Sequence, residues 1–138
     1  MTLTAPQDWT FPIPIAYGPG RVKEIASLCA ATGAKRPLLV TDRGSRTLPY
    51  IDEIANMLRA AGLGCEIYSD ISPNPRDTEI AKGKAAFRAG DHDGVVAVGG
   101  GSGMDGGKAI ATIANNDIDL MAFEFEQTPP DMSDQRPL

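Results

Sequence analysis

Short apolar runs alternate with longer amphipathic segments through most of this sequence. The runs are continuously apolar, as in parallel strands that are covered on both faces, and the segments between them carry apolar residues at helical spacing. The predicted strands lie at residues 37–41, 64–68 and 94–98. The predicted helices lie at residues 21–32, 48–61, 77–89 and 102–115.

The two ends of the chain lack this regular pattern. Residues 1–10 are polar and are expected to be loose, whereas residues 11–17 alternate apolar residues with Pro12 and Pro14. Because proline cannot donate to a strand ladder, this segment predicts an irregular or edge strand. Residues 126–138 are rich in proline and acidic residues and are expected to form a loop or tail.

Strands and helices that alternate at this spacing predict an α/β fold. We expect a Rossmann-like, doubly wound parallel sheet with helices on both faces and an irregular N-terminal strand. Ligands of such sheets bind at the carboxyl ends of the strands. Residues 1–125 are predicted to form this domain.

The most informative stretch is VVAVGGGSGMDGGK, residues 95–108, where an apolar strand runs into three glycines and a helix. Gly99, Gly100 and Gly101 lack a Cβ, so a ligand can approach their peptide groups closely. A helix beginning near Ser102 presents unpaired N–H groups and positive partial charge, which favour an anion such as pyrophosphate. The pattern predicts a phosphate site, the simpler interpretation being a tight strand–helix turn.

Two features of the helix start have structural explanations of their own. Ser102 and Asp105 form an S-x-x-D pattern, which predicts Ser102 as the helix cap. Lys108 lies three residues after Asp105 and is expected to pair with it. Gly106 and Gly107 each cost roughly 1 kcal/mol within a helix, which a simple turn would not require. A Walker-type P-loop is excluded, because Ser102 occupies the position of its first glycine.

Composition narrows the class of partner. The chain is 42% hydrophobic and 22% charged, as expected of a folded globular domain. Its net charge of −5, without a basic cluster, gives no support for nucleic acid or a membrane surface as a partner.

Cys29 and Cys65 have no C-x-x-C spacing and are expected to be buried, reduced thiols. With no recognisable signal peptide, this composition predicts a cytoplasmic location.

Four motifs together resemble the iron-containing alcohol dehydrogenases. GGGSGMDGGKAIA at residues 99–111 is similar to the family's GGGS-x-x-D-x-x-K-A motif, although Gly103 stands where the family often has proline. The opening FPIPIAYGPGRV, the strand LLVTDRG and the turn SPNPRDTEI resemble three further family motifs in the same order. The resemblance implies a metal-dependent enzyme that interconverts an alcohol and an aldehyde or ketone by hydride transfer to or from nicotinamide.

The resemblance also assigns candidate cofactor-binding residues, with NAD expected rather than NADP. Asp42 matches the residue that accepts hydrogen bonds from the adenine ribose, although Arg43 could soften the discrimination and a solvated loop aspartate is the alternative. Asn74 matches the asparagine near the adenine, or simply forms the turn. The motif positions that hold or approach the pyrophosphate are Gly99, Gly100, Gly101, Ser102, Asp105 and Lys108.

No catalytic or metal-ligating residue is predicted in this chain. In the family, an aspartate and three histidines of a second, helical domain hold Fe²⁺ or another divalent metal, whereas His92 is the one histidine here. We expect His92 to be a solvated turn residue. We therefore expect a fragment that contains the dinucleotide-binding domain, lacks the helical domain and is inactive alone.

Two alternatives also fit these motifs. Glycerol dehydrogenase and dehydroquinate synthase relatives share the triple glycine and the later aspartate, although Ser102 favours the alcohol dehydrogenases. A non-catalytic nucleotide-binding module is the other alternative. The expected partners are a nicotinamide dinucleotide, a small alcohol or aldehyde in the intact enzyme, and a second copy of the chain in a homodimer.

Overall fold

The central unit is a three-stranded parallel sheet with helices on both faces. The structure is a computed structural model, which describes residues 4–10, 12–124, 128, 130, 131, 133, 137 and 138. Its strands are β1 Gln7–Trp9, β2 Ile15–Tyr17, β3 Pro37–Val40, β4 Glu66–Tyr68 and β5 Gly94–Ala97. Its α-helices are α1 Ile25–Ala31, α2 Pro49–Ala60, α3 Asp77–Ala89 and α4 Gly101–Ile113.

The parallel sheet has the strand order β4-β3-β5, with β3 in the centre. Side chains alternate along β3: Leu38 and Val40 enter one hydrophobic cluster, and Leu39 enters the other. The first cluster contains Ile80 of α3 and Ile110 of α4. The second contains the buried faces of α1 and α2. Burial on both faces explains why β3 is apolar throughout, and the α/β prediction with two covered faces is confirmed.

The helices pack their apolar sides against the two faces of the sheet. In α2, four apolar residues at helical spacing are buried: Ile51, Ile54, Ala55 and Leu58. Fully burying a side chain such as Leu58 contributes roughly 1.5–3 kcal/mol. In α3, the structure has the predicted bounds, and α2 and α4 differ from prediction by one or two residues at each end.

The N-terminal region differs from the prediction. Residues 7–9 form a strand rather than a loose segment, and β1 pairs with β2 in an antiparallel ladder from Gln7–Tyr17 to Trp9–Ile15. Trp9 and Tyr17 stack across it with ring centroids 6.0 Å apart. Phe11, part of the predicted strand, lies outside the described residues. Cross-strand aromatic pairing therefore outweighs the polar composition of the first ten residues.

Two smaller differences complete the comparison. The predicted helix over residues 21–32 begins as a 3₁₀ turn, Arg21–Glu24, before α1. A second 3₁₀ turn, Leu120–Phe123, was not predicted.

Much of the predicted tail, including residues 125–127 and 134–136, lies outside the described residues, but the Pro137 carbonyl accepts a 2.8 Å hydrogen bond from the Val95 N–H. The end of the tail therefore lies against β5.

Candidate nucleotide-binding site

The strand order places a crevice between the carboxyl ends of β3 and β5. The chain passes from β3 to β4 on one side and then crosses to β5 on the other side of β3. The segments that leave β3 and β5 consequently run to opposite faces of the sheet. This switch point is where open α/β sheets bind ligands. Asp42 follows β3, and Gly99 to Gly101 follow β5.

The glycine loop presents bare backbone at this crevice. Gly99 has a φ of 139°, which side chains rarely tolerate, and a Cβ there would lie 2.9 Å from Asp42 Oδ2. At Gly100 and Gly101, a Cβ would meet no described atom within 4 Å. The last two glycines are therefore not required by contacts within the described chain. Their open surface lies at the start of α4, where backbone N–H groups and the helix dipole favour an anion.

Ser102 does not cap α4, contrary to prediction. The cap position is Gly100, where the structure shows no side-chain cap hydrogen bond. The Ser102 hydroxyl instead donates a 2.7 Å hydrogen bond to the Pro73 carbonyl. Because the helix starts one residue earlier, Ser102 lies within its first turn and faces the neighbouring loop. The hydrogen bond brings the glycine loop beside the turn that contains Asn74.

The glycines further along α4 have a packing role that the sequence analysis did not assign. A Cβ at Gly107 would lie 2.5 Å from the Ala97 Cβ of β5, and one at Gly106 would lie 3.0 Å from the Ile71 side chain. A Cβ at Gly103 would come within 3.0 Å of the Val98 carbonyl oxygen. These glycines therefore allow α4 to lie close to the sheet. They do not by themselves support phosphate binding.

Asp42 lies against the glycine loop and is already oriented by its own turn. Its Oδ1 accepts a 2.8 Å hydrogen bond from the Ser45 N–H, and its Oδ2 accepts one of 2.8 Å from the Ser45 hydroxyl. A carboxylate has about four acceptor positions, and the two Ser45 bonds do not fill them. Partial burial would raise the pKa of Asp42, but hydrogen bonds from Ser45 and Gly44 outweigh it and lower the pKa. The group is thus a fixed anionic acceptor at neutral pH.

Thr41 is a buried polar residue at the base of the crevice that the sequence analysis missed. Its side chain is fully buried, and its hydroxyl has no hydrogen-bond partner among the residues that the structure describes. A Cβ on Gly99 would lie 3.5 Å from this oxygen. An unpaired buried hydroxyl costs roughly 1–3 kcal/mol. The unsatisfied hydroxyl, the bare glycines and the Asp42 acceptor all fit a polar ligand with anionic and hydroxyl groups.

The remaining candidate residues surround the same edge but are less constrained. Asn74 is exposed, and its carbonyl accepts a 2.8 Å hydrogen bond from the Ser72 hydroxyl within the turn. Asp105 and Lys108 form the expected ion pair at 3.9 Å, with both side chains largely exposed. The structure therefore places Asn74 beside the loop through Ser102, while the Asp105–Lys108 pair lies further along α4.

Glu79 organises the loop after β4, a role that the sequence analysis did not identify. Its buried carboxylate accepts hydrogen bonds at Oε2 from the N–H groups of Ser72 and Arg76, at 3.2 and 3.0 Å, and from the Ser72 hydroxyl at 3.0 Å. Its Oε1 accepts a 3.1 Å bond from Arg43. The available signal was an acidic residue in the first turn of a helix that follows a proline turn.

His92 is buried rather than solvated, so that prediction was wrong. Its Nδ1 lies 2.9 Å from the Arg36 carbonyl oxygen and its Nε2 lies 3.2 Å from Glu66 Oε2. The first contact attaches the turn before β5 to the residue directly before β3, and the second attaches it to β4. Among the described residues no group of three or more His, Cys, Asp or Glu side chains could hold a metal ion. These residues therefore do not fit an iron site.

Cys29 and Cys65 are free and buried, as predicted. Burial raises the pKa of both thiols. In the part of the chain that the structure describes, no helix has the length and apolar character needed to cross a membrane.

A glycine loop at a helix N-terminus, set beside an acidic residue at the switch point of a parallel sheet, is the construction of dinucleotide-binding domains. The sequence model of the iron-containing alcohol dehydrogenases matches residues 12–138. This chain belongs to the iron-containing alcohol dehydrogenase family.

Individual relatives agree with the family assignment. The 1,3-propanediol dehydrogenase of Klebsiella pneumoniae is 36% identical over 123 residues, which cover 88% of this chain and 32% of the relative. The NAD-dependent methanol dehydrogenase of Bacillus methanolicus is 37% identical over 99 residues, covering 72% of this chain and 26% of the relative. The chain thus spans about a third of the length of the curated relatives it matches.

A solved structure supports the fold independently. Sulfoacetaldehyde reductase from Bifidobacterium kashiwanohense, in complex with NAD⁺, matches with a TM-score of 0.72 and 29% identity. The match covers 82% of this chain and 31% of that chain. The Rossmann-like fold and the family resemblance predicted from the sequence are therefore confirmed.

Proposed function

We propose that this chain is the NAD-binding part of a metal-dependent alcohol dehydrogenase, which interconverts an alcohol and an aldehyde or ketone. NAD supplies the hydride acceptor or donor of this reaction when it is bound. The observation that carries the proposal is the open glycine backbone at the N-terminus of α4, facing the Asp42 carboxylate across the switch point. No catalytic residue is assigned to this chain.

The pyrophosphate is proposed to bind at Gly99, Gly100 and Gly101. The N–H groups at the start of α4 and its dipole would hold the anion there. Ser102 contributes by fixing the neighbouring turn through its hydrogen bond to the Pro73 carbonyl. Lys108 is proposed to contribute positive charge nearby, partly offset by Asp105.

The adenosine half is proposed to bind between Asp42 and Asn74. The Asp42 carboxylate is a hydrogen-bond acceptor, which suits the hydroxyl groups of an unphosphorylated ribose, and its negative charge repels a 2′-phosphate. Asn74 is exposed at the end of this groove. The names of two relatives add support for NAD, since one is an NAD-dependent methanol dehydrogenase and one solved structure contains NAD⁺.

Calorimetric titration of the 138-residue chain with NAD⁺ tests this proposal. We expect saturable binding of one molecule per chain, and a loss of at least about tenfold in affinity in Gly101→Ala, because the added methyl group blocks the approach to the helix N-terminus. The control is Thr112→Ala, about three turns further along the same helix, which should bind NAD⁺ as the unmodified chain does. Absence of NAD⁺ binding, or equal binding by Gly101→Ala, contradicts the proposed site.

We also propose that iron is held by residues other than those described here. The described residues offer no ligand cluster, and the His92 ring is occupied by Arg36 and Glu66. The 138-residue chain should therefore bind NAD⁺ without reducing it. The measurement is absorbance at the nicotinamide wavelength with NAD⁺, a panel of short alcohols and added Fe²⁺. Metal-dependent formation of NADH by the chain alone would show that this assignment is wrong.

A further inference from the structure

Two arginines lie beside Asp42 in the sequence, Arg43 within its turn and Arg46 directly after it, and both are held by carboxylates. Arg43 Nη2 lies 2.5 Å from Asp70 Oδ1, and its Nε donates a 2.7 Å hydrogen bond to the same oxygen. Arg46 pairs with Asp52 at 3.2 Å. Neither cation is therefore a free partner for a phosphate group in this arrangement.

Arg43 is held by two carboxylates, Asp70 in the loop after β4 and Glu79 in the first turn of α3. Besides Asp70, Glu79 Oε1 accepts a 3.1 Å hydrogen bond from Arg43 Nη2. The backbone N–H of Arg43 donates to the Ile71 carbonyl at 3.0 Å, so the residue is attached to this loop by main chain and side chain alike. Asp70 also pairs with Lys82 at 3.4 Å, which brings two cations to two carboxylates.

Protonation does not loosen this arrangement near neutral pH. The hydrogen bond from Arg43 lowers the pKa of the Asp70 carboxyl, and the same contact raises the pKa of the guanidinium. Both groups are thus charged. Arg43 is nevertheless about half exposed, with 54% of its side-chain surface accessible, so it could reach a new partner if its carboxylates were removed.

Because of its position, Arg43 bears on the choice between NAD and NADP. It directly follows Asp42, which is proposed to accept the ribose hydroxyl groups. A 2′-phosphate would extend from that ribose, and a guanidinium is the side chain best suited to bind phosphate through paired hydrogen bonds. A free Arg43 would therefore favour NADP, whereas a held Arg43 leaves the repulsion from Asp42 unopposed.

We propose that Asp70 is a specificity-determining residue, which favours NAD over NADP by holding the Arg43 guanidinium away from the ribose 2′ position. This inference rests on the proposed dinucleotide site. It differs from the role of Asp42, because Asp70 acts through Arg43 rather than on the nucleotide.

The test is calorimetric titration of the 138-residue chain and its Asp70→Ala variant with NAD⁺ and with NADP⁺. We expect Asp70→Ala to bind NADP⁺ about threefold to fivefold more tightly than the unmodified chain, the size of one partly exposed charge contact. The gain is limited because Glu79 still holds one Arg43 nitrogen. Affinity for NAD⁺ should stay unchanged. Asp70→Asn, which keeps the shape of the side chain, should give a smaller gain in the same direction.

Two control variants isolate the role of Arg43. In Asp70→Ala combined with Arg43→Gln, the gain for NADP⁺ should disappear. Lys82→Gln removes the other partner of Asp70 while leaving Arg43 held, so the ratio of the two affinities should not change. An unchanged ratio in Asp70→Ala, or a gain that persists without Arg43, overturns the inference.

The same titrations separate this inference from the proposed function. If the unmodified chain binds NAD⁺ and Gly101→Ala does not, the dinucleotide site stands, and an unchanged ratio in Asp70→Ala overturns the Asp70 role alone. If the unmodified chain binds neither nucleotide, the proposed function and this inference fail together.

Discussion

Glu79 connects the loops after β3 and β4 through one buried carboxylate. Hydrogen bonds from the backbone N–H of Arg76, and then from Ser72, lower the pKa of Glu79 and outweigh the effect of burial, with a further contribution from Arg43. The folded protein therefore holds this carboxyl in its charged form to lower pH than the unfolded chain does. The two loops that flank the proposed adenosine site depend on that charge.

The sign of the pH dependence follows from this pKa. Between the depressed folded pKa and the unfolded value of about 4.3, the unfolded chain binds more protons, so stability falls as the solution becomes more acidic. Glu79→Gln should lower the urea midpoint of unfolding at pH 7, and the difference from the unmodified chain should shrink as pH falls towards 3. Urea unfolding at several pH values measures this.

The exposed Glu53 of α2 provides the control for that measurement. Glu53→Gln should leave both the midpoint and its pH dependence close to those of the unmodified chain. A constant difference between Glu79→Gln and the unmodified chain at all pH values would show that Glu79 contributes only through packing.

Single residues were predictable from sequence where the local chain decides their role. Asp42 lies directly after β3, as its place at the end of an apolar run predicted, and a short turn that ends at Ser45 orients its carboxylate. Ser102 and His92 were misjudged because their partners come from distant segments, Pro73 in one case and Arg36 with Glu66 in the other. No local pattern indicates such partners.

At the scale of elements, α4 is fitted to the sheet by the absence of side chains. A Cβ at Gly107 would clash with Ala97 of β5, and a Cβ at Gly106 would make a tight contact with the Ile71 side chain. Each glycine destabilises the helix by roughly 1 kcal/mol relative to alanine, but it allows α4 to pack closely against its neighbours. Close packing fixes the start of α4 beside β5, where the proposed phosphate site lies.

Alanine substitutions in α4 should lower stability on the side that packs against the sheet, but not at the open N-terminal end. Gly107→Ala should lower the free energy of unfolding by about 1–2 kcal/mol, because overpacking costs more than the gain in helix propensity. Gly101→Ala should not lower stability, since its Cβ would meet no described atom within 4 Å. Urea unfolding of both variants measures the difference. Equal stability of the two variants would contradict the packing role of Gly107.

Most helices and parallel strands were predictable because their apolar residues follow the period of the element. The β1–β2 hairpin was not, since Gln7–Trp9 carries polar residues and is stabilised by pairing with Ile15–Tyr17. The start of α4 was predicted one residue late, at Ser102, because serine is a common helix-cap residue. In the structure Gly100 occupies the cap position and the helix begins at Gly101.

At the scale of the whole molecule, the parallel sheet has three strands among the described residues, and the N-terminal hairpin exposes much of its apolar surface. Trp9, Ile15 and Tyr17 are 50%, 38% and 45% exposed. The crevice at the carboxyl ends of the parallel strands is likewise an open edge, with groups from three loops around it. The sequence predicts a ligand site at this edge, because all three loops follow strands of one parallel sheet.

The most direct test of the central claim is a nuclear magnetic resonance titration of the ¹⁵N-labelled 14.6 kDa chain with NAD⁺. If a dinucleotide binds at the start of α4, the N–H signals of residues 99–103 and of Asp42 should shift most, with smaller changes near Asn74. Signals of the hairpin residues 7–17 should stay in place. Shifts confined to the hairpin, or no shifts at saturating NAD⁺, would contradict a dinucleotide site at the start of α4.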